Sequence, residues 1–355
     1  MSTRIFKYHD SFQLESGTRI PGYQLAYTTY GKMNSDRSNV VWIFHALTAN
    51  SDPAEWWPGL VGDHKCFDPS RYFIICVNMP GSCYGSTGPL EINSQTGTPW
   101  WHDFPFFTTR DMIRAYQPLK TSLGIDKIFI GIGGSMGGQQ LLEWAIEEPG
   151  VFEHIIPIAT NAQHSPWGIA FNASQRMCIE TDPTWKENRK DAGLEGMKVA
   201  RSVALLSYRH YNTYESTQSR DKKGPWPLRH PYGGDAAESY QRYQGEKLGK
   251  RFNAFSYYFL TQGMDAHDVG RNRGTVAAAL GRITARTLSI GISSDLLFPP
   301  REQELIASRI PGAAYACIDS LYGHDGFLLE FEKTEQLIRS FLDEKPRQHL
   351  KTVNE

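Results

Sequence analysis

The chain has 355 residues, with 37 Lys and Arg against 38 Asp and Glu, a formal net charge of −1. Hydrophobic residues make up 40% and charged residues 21%, a composition that excludes a disordered chain. The balanced charge gives no reason to expect nucleic acid or an acidic membrane surface as partner, and no apolar run approaches the roughly 20 residues that span a bilayer.

Along the chain, residues 40–44, 72–77 and 127–132 are apolar throughout and rich in β-branched or aromatic side chains. Such runs predict parallel strands covered on both faces. Between them, residues 108–123 predict a helix with Met112, Ile113, Tyr116 and Leu119 on one face, kinked or ended by Pro118. A second helix is predicted over 139–147. From about Ser165 to Ile283 no buried strand is expected. The predicted elements there are helices over 198–208, 235–252 and 274–282. Asp235 and Glu238 form an acidic capping pair, and the runs from Gly224 and His230 are turn-rich breaks. Strands return at 287–292 and 314–318, with helices at 301–308 and 332–342. The end of the chain is polar and expected to fray. Alternating strands and helices predict an α/β fold with a parallel sheet.

The N-terminus lacks the apolar stretch of a secretory signal. The cysteines Cys66, Cys76, Cys83, Cys178 and Cys317 are odd in number and show no C-x-x-C spacing. No zinc site or disulfide framework is expected, a reducing cytosol is the expected location, and each cysteine is read as a small core hydrophobe.

The strongest chemical signal is Gly133-Gly-Ser-Met-Gly137, a G-x-S-x-G run with Ser135 at its centre, set between a predicted strand and a predicted helix. A sharp strand-to-helix turn forces the serine into a strained conformation and leaves no room for side chains two positions either side. It projects the hydroxyl near a helix N-terminus, where developing negative charge is favoured. A dinucleotide fingerprint starting at Gly131 fails, because Met136 stands where its third glycine is needed. A nucleophilic serine on such an elbow needs a carboxylate after a late strand and a histidine after the last one. Asp295 and His324 stand at those two places. Two backbone N–H groups must hold the oxyanion. Met136, after the serine, is one candidate, and Leu47, in the loop after strand 40–44, is the other. His45 is read as shaping that loop rather than as a second base. Ser135 and Asp295 flank the helical middle, so a two-domain cut would split the site. The expected organisation is a core of residues 1–164 and 284–345, an inserted helical lid of 165–283 and a polar tail of 346–355.

Taken together, these segments resemble the homoserine O-acetyltransferases of the α/β-hydrolase superfamily over nearly the whole chain. The resemblance is carried by His45-Ala-Leu-Thr, Cys83-Tyr-Gly-Ser-Thr-Gly-Pro89, Arg110-Asp111, the Ser135 elbow, Leu141-Leu-Glu-Trp144, Tyr243-Gln-Gly-Glu-Lys247, His267-Asp-Val-Gly-Arg271, Ser294-Asp-Leu-Leu-Phe-Pro299 and Tyr322-Gly-His-Asp-Gly-Phe327. It implies an α/β-hydrolase fold with helices on both sheet faces, a Ser135–Asp295–His324 triad and a helical lid through which members dimerise. It also implies that Arg201, near Tyr208, holds the substrate carboxylate and that Asp325 holds its amine, chemistry that suits a zwitterion. The implied reaction is ping-pong acetyl transfer from acetyl-CoA to L-homoserine, with no metal and no permanently bound cofactor. A serine O-acyltransferase, an esterase or thioesterase of the same superfamily, and a silent binding protein are the rival readings. The runs Ala49-Asn50, Met79-Pro-Gly-Ser82 and Pro99-Trp-Trp-His-Asp103 depart from the family pattern beside the acyl pocket.

Overall fold

The strand-forming runs assemble into one large sheet. A computed structural model describes residues 3–218 and 236–344. Along the chain come β1 (Arg4–Tyr8), a short ladder of β2 (Phe12–Gln13) and β3 (Arg19–Ile20), then β4 (Tyr23–Tyr30), β5 (Val40–Phe44), β6 (Phe73–Val77), β7 (Ile128–Gly134), β8 (Phe152–Ile158), β9 (Arg286–Ile292) and β10 (Ala314–Ile318). The large sheet has the order β1-β4-β6-β5-β7-β8-β9-β10. β1, β4 and β6 pair antiparallel, and every pair from β6 to β10 is parallel.

Five of these strands match the expected runs to within two residues at each end. β1, β4 and β8 were not expected. β8 reads FEHIIPI, with Glu and His breaking its apolar run and a proline that removes a ladder donor. Its position between β7 and β9 overrides that local pattern. Within β5, Trp42 and Phe44 join the apolar cluster on one sheet face while Val41 and Ile43 join the cluster on the other. A strand buried on both sides therefore keeps its period of two although every residue is apolar.

The helices are α1 (Pro53–Trp56), α2 (Thr109–Ser122), α3 (Met136–Glu147), α4 (Pro166–Glu180), α5 (Leu194–Tyr208), α6 (Tyr211–Thr217), α7 (Ala236–Gly249), α8 (Ala254–Asp265), α9 (Val276–Leu280), α10 (Pro300–Arg309), α11 (Gly326–Leu329) and α12 (Phe331–Asp343). Thr108 caps α2 by accepting from the Asp111 N–H. The helix expected over 108–123 forms, and of the two outcomes allowed at Pro118 an end is excluded, because α2 continues to Ser122. Met112, Ile113, Tyr116 and Leu119 are all buried along it, and that packing outweighs one lost backbone hydrogen bond. Between β8 and β9 the described residues add no strand to the sheet and form α4 to α9. Of these, α4, α6 and α8 were not foreseen, although Ser165 caps α4 by accepting from Gly168 N–H, with Pro166 following it. The Asp235 half of the expected capping pair, the turn-rich runs near 224 and 230, and the tail 346–355 lie outside the described residues.

No described helix is long and apolar enough to cross a membrane. Cys66 and Cys76 are buried, but Cys83 and Cys178 are half-buried and Cys317 is exposed. Cys317 departs from the expectation because β10 is an edge strand with outward-facing residues.

A buried ionic chain ties the N-terminal segment to the helices behind the site. Arg110 bridges Glu15 at 2.7 Å and Glu143 at 3.0 Å. Arg273 bridges Glu143 and Glu147, and Arg271 reaches back to Glu15 at 2.8 Å. Glu143 is fully buried. Replacing it with alanine leaves two buried guanidinium groups without their shared carboxylate. Glu143→Ala should therefore lower stability by about 3–5 kcal/mol, read from the midpoint of urea unfolding. An unchanged midpoint would contradict this account.

Candidate active site

The turn from β7 into α3 is built around Ser135. Its backbone sits at φ 56 and ψ −128, a conformation that non-glycine residues rarely adopt. The turn is fixed from both sides. Ser135 N–H donates to Ile158 O at 3.0 Å, and Thr160 Oγ1 donates to Ser135 O at 2.7 Å. The glycines two positions either side of Ser135 face each other, so that a Cβ on Gly133 would lie 2.6 Å from the Gly137 backbone. A Cβ on Gly137 would collide with Phe44 O. This is the crowding that the G-x-S-x-G spacing anticipates.

Asp295 and His324 meet. Asp295 follows β9 and is buried. Its Oδ1 accepts from the N–H groups of Leu297 (2.8 Å) and Phe298 (2.9 Å), and its Oδ2 lies 2.7 Å from His324 Nδ1. That contact assigns the proton to Nδ1 and leaves Nε2 as the nitrogen free to accept one. Burial works against a charged His324 ring, but the Asp295 carboxylate, and beyond it Asp325, outweigh burial and raise its pKa above the ordinary value. No hydrogen bond closes between Ser135 Oγ and His324 Nε2 among the described contacts, a bond that commonly tightens only with reactants in place. The two sides are joined instead through Phe327. Its ring lies 5.2 Å from that of His324 and fills the space a side chain at Gly134 would need.

The remaining expected site residues surround this pair. Leu47 and Met136 are buried, and neither backbone N–H donates to a described residue. His45 is bonded through both nitrogens, to Ala46 O at 2.9 Å and from Met79 N–H at 3.1 Å. It is thereby committed to the loop that carries Leu47, and burial pushes its pKa down to about 4. On α5, the Arg201 guanidinium lies over the Tyr208 ring at 5.2 Å, and that ring is 5.7 Å from His324. Asp325 follows His324 in the same turn and forms an ion pair with Arg209 at 3.1 Å. Among the described residues no group of three or more His, Cys, Asp or Glu is disposed to hold a metal.

A family model for the alpha/beta hydrolase fold matches residues 39–331. The homoserine O-acetyltransferase of Cyclobacterium marinum is 46% identical over 343 residues, which are 96% of this chain and 95% of the relative. The chain belongs to the homoserine O-acetyltransferase family. Among solved structures, the homoserine O-acetyltransferase of Bacillus anthracis superposes with a TM-score of 0.89 at 26% identity, covering 97% of this chain and 98% of that one. Esterase E22 superposes with a TM-score of 0.86 at 25% identity, covering 96% and 100%. The homoserine O-acetyltransferase family and an esterase thus share this fold, and features beyond the elbow must separate them.

Arg209 was not assigned a role from the sequence of this family member. It was legible only as the basic residue after Tyr208 at the end of a helix, because its partner Asp325 lies 116 positions away along the chain. The histidines themselves offer a test. Imidazole nitrogen shifts followed by NMR should show His324 taking up its proton above the ordinary value of about 6.5, whereas His45 stays neutral down to about 4. A His45 that titrates near neutrality would overturn its assignment to the loop.

Proposed function

We propose that this protein transfers an acetyl group from acetyl-CoA to the hydroxyl of L-homoserine through an acetyl-Ser135 intermediate. His324 accepts the Ser135 proton as Oγ attacks the thioester carbonyl. Asp295 fixes the imidazole tautomer and stabilises the imidazolium. The N–H groups of Leu47 and Met136 hold the tetrahedral oxyanion. The C–S bond breaks, the thiolate leaves with the proton from His324, and the acetyl group remains on Ser135. Homoserine then enters with its carboxylate on Arg201 and its ammonium on Asp325. His324 takes the proton from its hydroxyl, the new C–O bond forms, the acetyl C–Oγ bond to Ser135 breaks, and His324 returns the proton to Ser135 Oγ.

The observation that carries this reading, over an esterase with the same elbow, is the pair of opposite charges beside His324. A guanidinium stacked on Tyr208 stands on one side, and the Asp325 carboxylate stands in the same turn. An α-amino acid carries the complementary pair. An esterase reading is supported by the likeness to esterase E22, and the two differ in whether an amino-acid acceptor accelerates release of CoA.

The same proposal places the reaction in methionine biosynthesis in the cytoplasm, with α4 to α9 as a lid over a core of residues 1–164 and 284–345. It also pairs two copies through that lid. Met177, Val199, Leu206 and Tyr243, all on α4, α5 and α7, are more than half exposed and support such a face.

Free-thiol release should be measured with acetyl-CoA or succinyl-CoA against homoserine or serine. Acetyl-CoA with homoserine should be fastest. Serine is one methylene shorter, and its disadvantage should be about 1–3 kcal/mol. Ser135→Ala should lose at least about 10³-fold in rate. CoA release that is equally fast with and without homoserine would favour the esterase. The pH profile gives an independent check. His324 acts as a base only when neutral, and its pKa is raised. Activity at subsaturating substrate should therefore fall on the acid side with a midpoint above about 6.5. A midpoint well below that value would count against His324 as the base.

A further inference from the structure

The carboxylate assigned to the substrate ammonium does not stand alone. Asp325 Oδ2 lies 3.1 Å from Arg209 Nη2, and the two side chains are only 14% and 19% exposed. Nη2 also lies 3.2 Å from the Tyr240 hydroxyl on α7, to which it donates. No described residue donates to the other Asp325 oxygen, Oδ1. Arg209 directly follows the last residue of α5, and its backbone N–H donates to Leu205 O at 3.0 Å. The turn carrying Asp325 is pressed onto the same corner. A Cβ on Gly323, whose φ is +64, would sit 2.8 Å from Tyr208 O and 2.9 Å from Arg209 C. Thr213 Oγ1, just beyond, donates to Leu321 O.

We infer that Arg209 is a positioning residue for acceptor recognition: it occupies Oδ2 of Asp325 and thereby aims Oδ1 at the α-ammonium of an amino-acid acceptor. This rests on the acceptor assignment proposed above. The physical case is one of geometry and charge. A lone carboxylate beside His324 could rotate toward the imidazolium that forms during the reaction, or bind any small cation. Pairing Oδ2 with the guanidinium through the single Nη2 contact draws that oxygen toward Arg209 and leaves Oδ1 as the acceptor edge. One helix then governs both poles of the zwitterion. Arg201, inside α5, takes the carboxylate directly, and Arg209, at its end, takes the ammonium through Asp325.

Two consequences separate this role from mere support of the fold. The first is a split between substrates. Arg209→Gln frees Asp325 to rotate and should raise KM for homoserine by about tenfold or more, with a smaller change in KM for acetyl-CoA. Arg209→Lys should recover part of the loss, because it keeps the charge but not the planar fork. The second is the acid limb of the pH profile. The charged or titratable groups facing the His324–Asp325 turn are Asp295 after β9, Arg201 over Tyr208 on α5, Tyr208 and Arg209 at the end of α5, Tyr214 on α6 and Tyr240 on α7. Removing the guanidinium leaves the Asp325 charge uncompensated next to His324, so the limb should move to higher pH.

The decisive experiment is calorimetric titration of homoserine into full-length Ser135→Ala, with and without Arg209→Gln, alongside the kinetics of the Arg209 variants in the otherwise native chain. Arg242→Gln, an exposed change on α7, serves as the control. Homoserine binding weakened about tenfold or more by Arg209→Gln, together with an upward-shifted acid limb, supports the inference. Unchanged homoserine affinity in a folded Arg209→Gln protein overturns it while leaving the acetyltransferase reading intact. Equal losses for acetyl-CoA and homoserine overturn it in favour of a general structural role. If the otherwise native chain neither binds nor acetylates homoserine, the acceptor assignment and this inference fall together, an outcome distinct from the previous two.

Discussion

The backbone at Ser135 is the constraint on which the site is built. A non-glycine residue held at φ 56 and ψ −128 costs on the order of 1–3 kcal/mol, and it persists only where its surroundings permit no other path. β8 supplies much of that enforcement. Ile158 takes the serine N–H, and Thr160, just past the strand, bonds the serine carbonyl. The glycines supply the rest by letting β5, β7 and α3 approach until their backbones touch. The Glu143 ionic chain then anchors the far side of α3 to α2 and to the segment after α8. The strain is local, but the structure that sustains it reaches across the sheet and its helices.

The second half of the site is a joint between the sheet and the helical insertion. From the turn at 323–325, Gly323 N–H donates to Ser294 Oγ on the β9 side at 2.9 Å. Just beyond it, Trp57 Nε1 donates to Phe327 O at 2.9 Å. From the insertion it receives the Thr213–Leu321 hydrogen bond and the Arg209–Asp325 ion pair. His324 and Asp325 are adjacent in sequence yet face different partners. His324 is tied to Asp295 in the core, and Asp325 is tied to α5. A displacement of α5 would therefore alter the carboxylate of Asp325 more directly than the imidazole of His324.

The difference between these halves explains what could be read from the chain. The elbow was legible because its constraint is local: the glycines act within a few residues of Ser135, and the strand and helix flanking it have strong patterns. Asp295 and His324 were legible because each follows a well-patterned strand. β8 was hidden by Glu153, His154 and Pro157, residues that its interior position tolerates but no local pattern suggests. α4 and α8 were missed because the insertion packs helices on several sides and blurs the single apolar stripe that marks a surface helix, and α6, seven residues long, is too short to show one. At Pro118 a kink or an end was expected, and the apolar face of α2 holds the helix through it without an end. The Arg209–Asp325 pair was not legible at all. It is a long-range contact between two residues that each look like ordinary turn or helix-end charges.

On the proposed reading, this division also bears on why a hydrolase fold could perform transfer. An acyl-serine can be attacked by water or by an alcohol, and the core residues treat the two alike: His324 removes a proton from whichever is placed before it. Selection must then come from positioning. Holding a hydroxyl in reactive geometry can be worth effective molarities of about 10⁵–10⁸ M, which lets a bound acceptor outrun bulk solvent. The groups able to provide that hold are not in the elbow but on α5 and at Asp325, and they recognise charge rather than the hydroxyl. A chain with a net charge of −1 needs no charged surface for this. It needs one guanidinium and one carboxylate, which on this reading are Arg201 on α5 and Asp325 in the histidine turn. On that reading the sheet fixes the chemistry, and the acceptor is set jointly by α5 and by Asp325 beside His324.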